Sequence, residues 1–350
     1  MEVDDKLSTW ARIAEQFAEG AILVGNGASS ALNEGFRYES LYDVARSRVE
    51  HPLSELDAAV FDLLGTRDFE AILGSLKLAR EVCRQSGHET GTIDARYSSI
   101  RTALLEAVHS VHPEQATIPN ERLTSMQDAL LRFGEVFTTN YDFILYWAVA
   151  ADETKMRRRF KDFFWNPKPR LAFDITDTDT PEGKTRVYYL HGGLHLFHIP
   201  AGGTVKASGH EGDEDWGTYA PLISLVFDYM GAEFPLFVSE GTSDQKLAAI
   251  NANSYLAFAF ERWSTWWGPL TIFGHSLSPG DDHLVSPLVR RAERTLSLGE
   301  ELPPIAVSIV ARSSAHIIDR KVHYQKRLQR SDILFFNAAS HPLGSAPKDE

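Results

Sequence analysis

Ala21-Ile22-Leu23-Val24 stops abruptly at Gly25-Asn26-Gly27-Ala28-Ser29, and this junction constrains the fold more than any other stretch of the chain. Four apolar residues without alternation describe a strand covered on both faces, as in a parallel sheet. A glycine turn at its end lets backbone approach a pyrophosphate, with amides at the start of the next helix binding the anion. The pattern recurs. Val136-Phe137-Thr138 runs into Thr139-Asn140-Tyr141-Asp142, Arg186–Leu190 into His191-Gly192-Gly193, and Pro235–Val238 into Ser239-Glu240-Gly241. Pro269–Phe273 opens at Gly274-His275-Ser276-Leu277-Ser278, and Ile305–Val310 and Ile333–Phe336 read as two further strands. Ligands of open parallel sheets sit at the carboxyl ends of strands, so residues scattered from 25 to 281 are expected to share one crevice.

The expected fold is α/β, a Rossmann-like parallel sheet flanked by helices, with a helical insertion. Residues 1–50 and 133–338 form the nucleotide-binding core on this reading. Residues 51–132 form the insertion, broken at Gly65-Thr66, Ser86-Gly87 and His112-Pro113, with Asp68 and Asn120 as N-caps. An amphipathic helix is expected over residues 5–18, on the spacing of Leu7, Trp10, Ile13, Ala14 and Phe17. Residues 200–219, rich in Gly, Asp and Glu, read as a mobile loop, and 339–350 as a flexible tail.

Composition removes several functions. A chain of 350 residues, 43% hydrophobic and 24% charged, buries a large core. Its net charge of −13 argues against direct binding of nucleic acid, which needs clustered Lys and Arg. Met156–Lys161 is the one dense basic run and reads as a solvated helix face. Cys83 is the single cysteine, which excludes an intramolecular disulfide and a cysteine-built zinc module. With no signal-peptide core and no apolar stretch long enough to cross a membrane, a cytoplasmic protein is expected.

The strand-end residues allow specific chemistry. Asn140 can hold a ribose hydroxyl or a water, and Asp142 can accept a hydrogen bond from an amide such as that of nicotinamide. Alternatively, Asn140 turns the chain and Asp142 caps the helix that follows. His191, on an open turn before two glycines, suits a general base. His195, His198 and His210 lie nearby, but His191, His195 and His198 lack a ligand spacing, so no metal is expected. Ser276 can contact a phosphate or ribose, and Asp281 can cap the next helix.

Taken in order, Gly25–Ser29, Thr138–Asp142, His191-Gly192 and Gly274–Ser276 resemble the G-A-G-x-S, T-x-N-x-D, H-G and G-T-S motifs of the sirtuin-like NAD-binding family. Ser239-Glu240-Gly241 loosely resembles the segment between the last two. The wording G-N-G, T-T-N-Y-D, Y-L-H-G and G-H-S-L-S looks like the bacterial sirtuin-like proteins of antiphage defence, which mostly destroy NAD. Asn26 and His275 depart from the family's Ala and Thr, and the four zinc cysteines of protein deacylases are missing. The resemblance implies hydrolysis of the nicotinamide–ribose bond, with NAD as substrate and no separate cofactor. On that basis Gly25, Gly27 and Ser29 hold the diphosphate, while Asn26, Thr139 and Gly274 line the nucleotide site. Phe36-Arg37 stands near nicotinamide. Asn140 positions ribose and water, Asp142 reads the carboxamide, His191 is the base, and Ser276 meets the adenosine half. A regulated effector of this kind implies a homo-oligomer or a partner defence protein, docking through the insertion or Trp263–Trp267. An NAD- or ADP-ribose-binding regulatory module and a nuclease subunit of a larger complex are the alternatives.

Overall fold

The computed structural model describes residues 3–32, 41–47, 49–67, 69–112, 115–166, 171–198, 203–207, 235–238 and 242–344. Seven parallel strands form the main sheet. They are β1 (Ala21–Val24), β2 (Glu135–Thr138), β3 (Phe160–Lys161), β6 (Thr185–Tyr189), β10 (Leu270–Phe273), β11 (Ile305–Ile309) and β12 (Ile333–Asn337). Their spatial order is β12-β11-β10-β1-β2-β6-β3. From β1 the chain lays down β2 and then β6 on one side, and crosses to β10, β11 and β12 on the other. Leaving aside the two-residue edge strand β3, this is the doubly wound order of a Rossmann-like fold. The α/β class expected from the apolar runs is the observed one.

Burial explains why those runs lack alternation. All four residues of β1 are at most 1% exposed, because helices cover both faces of the sheet. Charge pins the register at the strand starts. Glu135 pairs in register with Arg186, and the two side chains meet at 2.6 Å. Further along, Phe137 stacks on Tyr188 at 4.9 Å and meets the edge of Trp263 at 5.3 Å. Trp263 is therefore core, whereas Trp267 of the same segment is half-exposed.

A second sheet escaped the sequence reading. β4 (Phe164–Asn166), β5 (Leu171–Phe173), β7 (Gly192–His198), β8 (Thr204–Lys206) and β9 (Pro235–Phe237) form an antiparallel sheet in the order β4-β5-β8-β7-β9. The Pro235 strand, expected to continue the parallel sheet, pairs instead with β7. Residues 204–206, expected within a loop, are a strand. This small sheet is tied to the carboxyl end of the large one. Leu194 N–H donates to the Tyr141 carbonyl (2.8 Å) and Val238 N–H to the His191 carbonyl (2.8 Å).

Between β1 and β2 the described residues contain helices and one 3-10 turn but no strand. The breaks fall where glycine and His-Pro placed them, giving helices Glu55–Leu64, Phe69–Gln85, Gly91–Val111 and Asn120–Leu130. Ser54 and Asp57 close a capping box, and buried Asp57 also binds Arg96 (2.8 Å) and Ser99 Oγ (2.9 Å) on the neighbouring helix. Asn120 is not a cap: Pro119 holds that position and Asn120 is already helical. Asp68 lies outside the described residues.

The chain termini depart from expectation. The first helix covers only Trp10–Ile13, continued by a 3-10 turn, because Ser8 is held in a parallel bridge to Phe336. Residues 339–344, expected to be part of a flexible tail, are packed. His341 and Leu343 are fully buried, and His341 sits 4.6 Å from Trp10 and 5.0 Å from Phe273. The Arg122 guanidinium donates to the Pro342 carbonyl. Apolar and aromatic partners outweigh the Ser, Pro and Gly content that suggested fraying. No helix among the described residues is long and apolar enough to cross a membrane.

Candidate functional site at the carboxyl ends of four strands

The sheet changes direction between β1 and β10, and the two loops that leave these strands touch. Gly27 N–H donates to the Gly274 carbonyl (2.8 Å), and Gly25 N–H to the Phe273 carbonyl (2.9 Å). A Cβ at Gly25 would lie 2.6 Å from His275 Cα, and one at Gly27 2.6 Å from Gly274 Cα. Gly274 itself has φ +67°, a left-handed conformation. The glycines of the first loop are therefore required by the closeness of two backbones. The Ala28 and Ser30 amides are engaged too, with the Gly25 and Asn26 carbonyls.

Asn140 lies next to this junction, at the end of β2. Its Nδ2 donates to the Gly25 carbonyl (3.2 Å) and to Ser29 Oγ (3.0 Å), while its backbone N–H donates to Thr138 Oγ1 (3.0 Å). Those bonds fix the amide's orientation. Asn140 Oδ1 is buried and has no hydrogen-bond partner among the described residues. A buried acceptor left unmatched costs about 1–3 kcal/mol, so such an atom marks a place for a donor. Ser29 faces inward: its hydroxyl donates to Asp142 Oδ2 (2.6 Å) while accepting from Asn140. Asp142 Oδ1 accepts from Ile144 N–H (2.8 Å), the first residue of the next helix, although Phe143 and not Asp142 holds the N-cap position. Burial raises the Asp142 carboxyl to about 6, against the opposing bonds from Ser29 and Ile144.

The second half of the site gathers at the end of β6. His191 is buried, and its Nε2 lies 2.9 Å from Nε2 of His283. On the far side of His283, Nδ1 is 3.2 Å from Ser243 Oγ, and the His283 backbone N–H donates to the same oxygen at 2.6 Å. Ser243 opens the helix Ser243–Asn251, and Lys246 on that helix donates to Asp281 Oδ1 (2.9 Å). Asp281 also accepts from Ser278 Oγ (2.9 Å); it holds the N-cap position of the following helix, as expected, but its side chain makes no capping bond there. Burial first, then the neighbouring His283 and Lys246, holds His191 well below the usual histidine range. Burial likewise lowers His283 to about 4. Burial thus favours the neutral form of both rings.

His191, Asp281 and His283 bring their ligand atoms within 4.8 Å of one another, a grouping that can accommodate a cation. Lys246 already supplies a buried positive charge to that carboxylate. His195 is a core residue, fully buried between Tyr189 (4.5 Å) and Tyr146 (4.9 Å), with neither ring nitrogen bonded among the described residues. His198 is exposed. A cleft of about 750 Å³ reaches Ser243, the neighbour of His283, and is lined also by Arg67 of the helical segment and by Thr242, Pro279 and Gly280.

Of the residues picked from sequence, Gly25, Asn26, Gly27, Ser29, Thr139, Asn140, Asp142, His191 and Gly274 lie at the carboxyl ends of β1, β2, β6 and β10, four adjacent strands. Ser276 is exposed, on a loop held by His323, Tyr324 and Arg327 bonding to the carbonyls of Ser276, His275 and Leu277. Phe36, Arg37, His210 and Ser239-Glu240-Gly241 lie outside the described residues. Sequence reasoning missed Ser243 and Lys246, which carry no local motif, and it gave His283 no role.

A family model described as a domain of unknown function, DUF4917, matches residues 22–342. The chain belongs to that family. The match runs from β1 to Pro342, so it takes in both halves of the site and the packed C-terminal segment. No curated protein matches the chain.

Proposed function

We propose that this DUF4917 chain is a sirtuin-like NAD glycohydrolase. It cleaves the nicotinamide–ribose bond to give nicotinamide and ADP-ribose, and acts in the cytoplasm as a regulated antiphage effector. The observation that carries the reading is the orphaned Asn140 Oδ1, a buried acceptor held rigid beside the β1–β10 switch point. A ribose hydroxyl or an attacking water supplies the donor it lacks. His191, neutral through burial, accepts the proton that water releases as it attacks the oxocarbenium-like ribose. Asp142 contributes chiefly by holding Ser29 and the helix start, since both of its oxygens already accept bonds. Leu56, Leu63, Leu78 and Val82, exposed on the helical segment, offer the surface on which a second copy or a partner protein would impose regulation.

A second reading, NAD or ADP-ribose binding without turnover, is favoured by one fact: Nε2 of His191 is already paired with His283. Incubating the purified protein with NAD and quantifying nicotinamide and ADP-ribose separates the two. Glycohydrolysis predicts equimolar products and a loss of about 100-fold or more in Asn140→Ala and His191→Ala. Equal turnover by all three proteins overturns it. Thermal stabilisation by NAD with no product in any of them supports the binding module.

A further inference from the structure

The geometry points to a proton path that leaves the site through His191, His283 and Ser243 and ends in the cleft beside the helical segment. We propose that His283 is the positioning residue that makes His191 an effective base, by taking over the proton His191 accepts. This deepens the glycohydrolase reading and rests on it.

Three observations converge. The two imidazoles meet Nε2 to Nε2 at 2.9 Å, a separation at which they share a proton. His283 Nδ1 is 3.2 Å from Ser243 Oγ, and Ser243 lines the cleft of about 750 Å³. Both rings are buried, so an imidazolium formed on His191 has little water to stabilise it and must discharge. Asp281 faces the pair as an anion and Lys246 and His275 face it as the opposing groups, with Asp282 beside His283. The carboxylate thus stabilises the positive charge in transit, and Lys246 keeps it from being trapped.

Each step balances. Water gives a proton to His191 Nδ1, the ring nitrogen His283 does not occupy, as its oxygen bonds to the ribose carbon and the C–N bond to nicotinamide breaks, its electron pair leaving with neutral nicotinamide. The Nε2 proton of His191 passes to His283 Nε2. His283 releases its Nδ1 proton to Ser243 Oγ, and the Ser243 hydroxyl proton leaves to solvent in the cleft. Every relay group ends with the number of protons it began with, and no oxidant or metal is involved.

The test uses the full-length protein with NAD. His283→Gly should lower kcat about 100-fold with KM for NAD within about twofold, and added imidazole should restore part of the rate. Ser243→Ala should show a smaller loss of kcat. Turnover in the wild type with kcat unchanged in His283→Gly overturns the relay and leaves the glycohydrolase reading standing. A readout independent of turnover is the ¹⁵N spectrum of histidine-labelled protein. The ring-nitrogen shifts of His191 should move in His283→Gln, and identical shifts overturn the proposal even if NAD is not the substrate. Stoichiometric Co²⁺ binding by the wild type, lost in His283→Gln, also overturns it, by making the pair metal ligands.

Discussion

The Asn140 half and the His191 half of the site lie at neighbouring strand ends but are held by different physics. Around Asn140 the contacts are side-chain hydrogen bonds: an amide, a hydroxyl and a carboxyl locked to the first glycine loop. Around His191 they come from two helices and depend on charge, through His283, Asp281 and Lys246. The first half is a rigid template, and the second is a balance of ionisable groups. The two respond oppositely to acid. Asp142 binds its proton more tightly folded than unfolded, so its contribution is greatest below pH 4 and falls as pH rises through about 6. His283 binds its proton less tightly folded, so its contribution is full above about 6.5 and is lost as pH falls through about 4.

Breaking the template should have the largest effect. Gly27→Val sets a side chain against the Gly274 backbone, and a loss of more than about 3 kcal/mol in urea melts is expected. A melt within about 1 kcal/mol of wild type would mean the two loops separate easily. Next, Asp142→Asn removes the buried acid. It should stabilise the protein by up to about 3 kcal/mol at pH 8 and by nothing near pH 4. A constant gain across that range would show that the carboxyl's proton is not involved. On the imidazole side, His283→Gln should flatten the acid limb of stability between pH 6.5 and 4 by on the order of 1–2 kcal/mol. An unchanged limb would place the acid sensitivity elsewhere, for instance at buried His341. The smallest effect is expected at exposed Ser276: Ser276→Ala should alter stability by less than about 0.5 kcal/mol, and it should raise KM for NAD only a fewfold.

Legibility in the sequence follows the same division. β1, β2, β6 and β10 were readable because strands buried on both faces cannot alternate, and their ends were marked by Gly, Asn and His. The Asn140 half was therefore nearly all visible from residues 25–29 and 138–142. The His191 half was not. Ser243 and Lys246 reach it from a helix whose capping box reads only as a helix start. The antiparallel sheet was missed because β4, β5 and β8 span three residues each, too few to show a period, while β9 was legible as a strand but assigned to the parallel sheet. The packed C-terminal segment was misread because its burial depends on Trp10 and Phe273, far away in the chain.

The pairing of β1 with β10, Ala21 against Leu270, has a consequence for how the protein comes into being. β1 is made well before β10, its neighbour on that side. A nascent or truncated chain that stops short of β10 carries the glycine loop, Asn140 and His191. It lacks the Gly274 backbone that seats the loop and the His283 ring that pairs with His191. Assembly that waits on so distant a contact is intrinsically slow. On the proposed reading, a centre divided this way stays silent until β10 and His283 have been made.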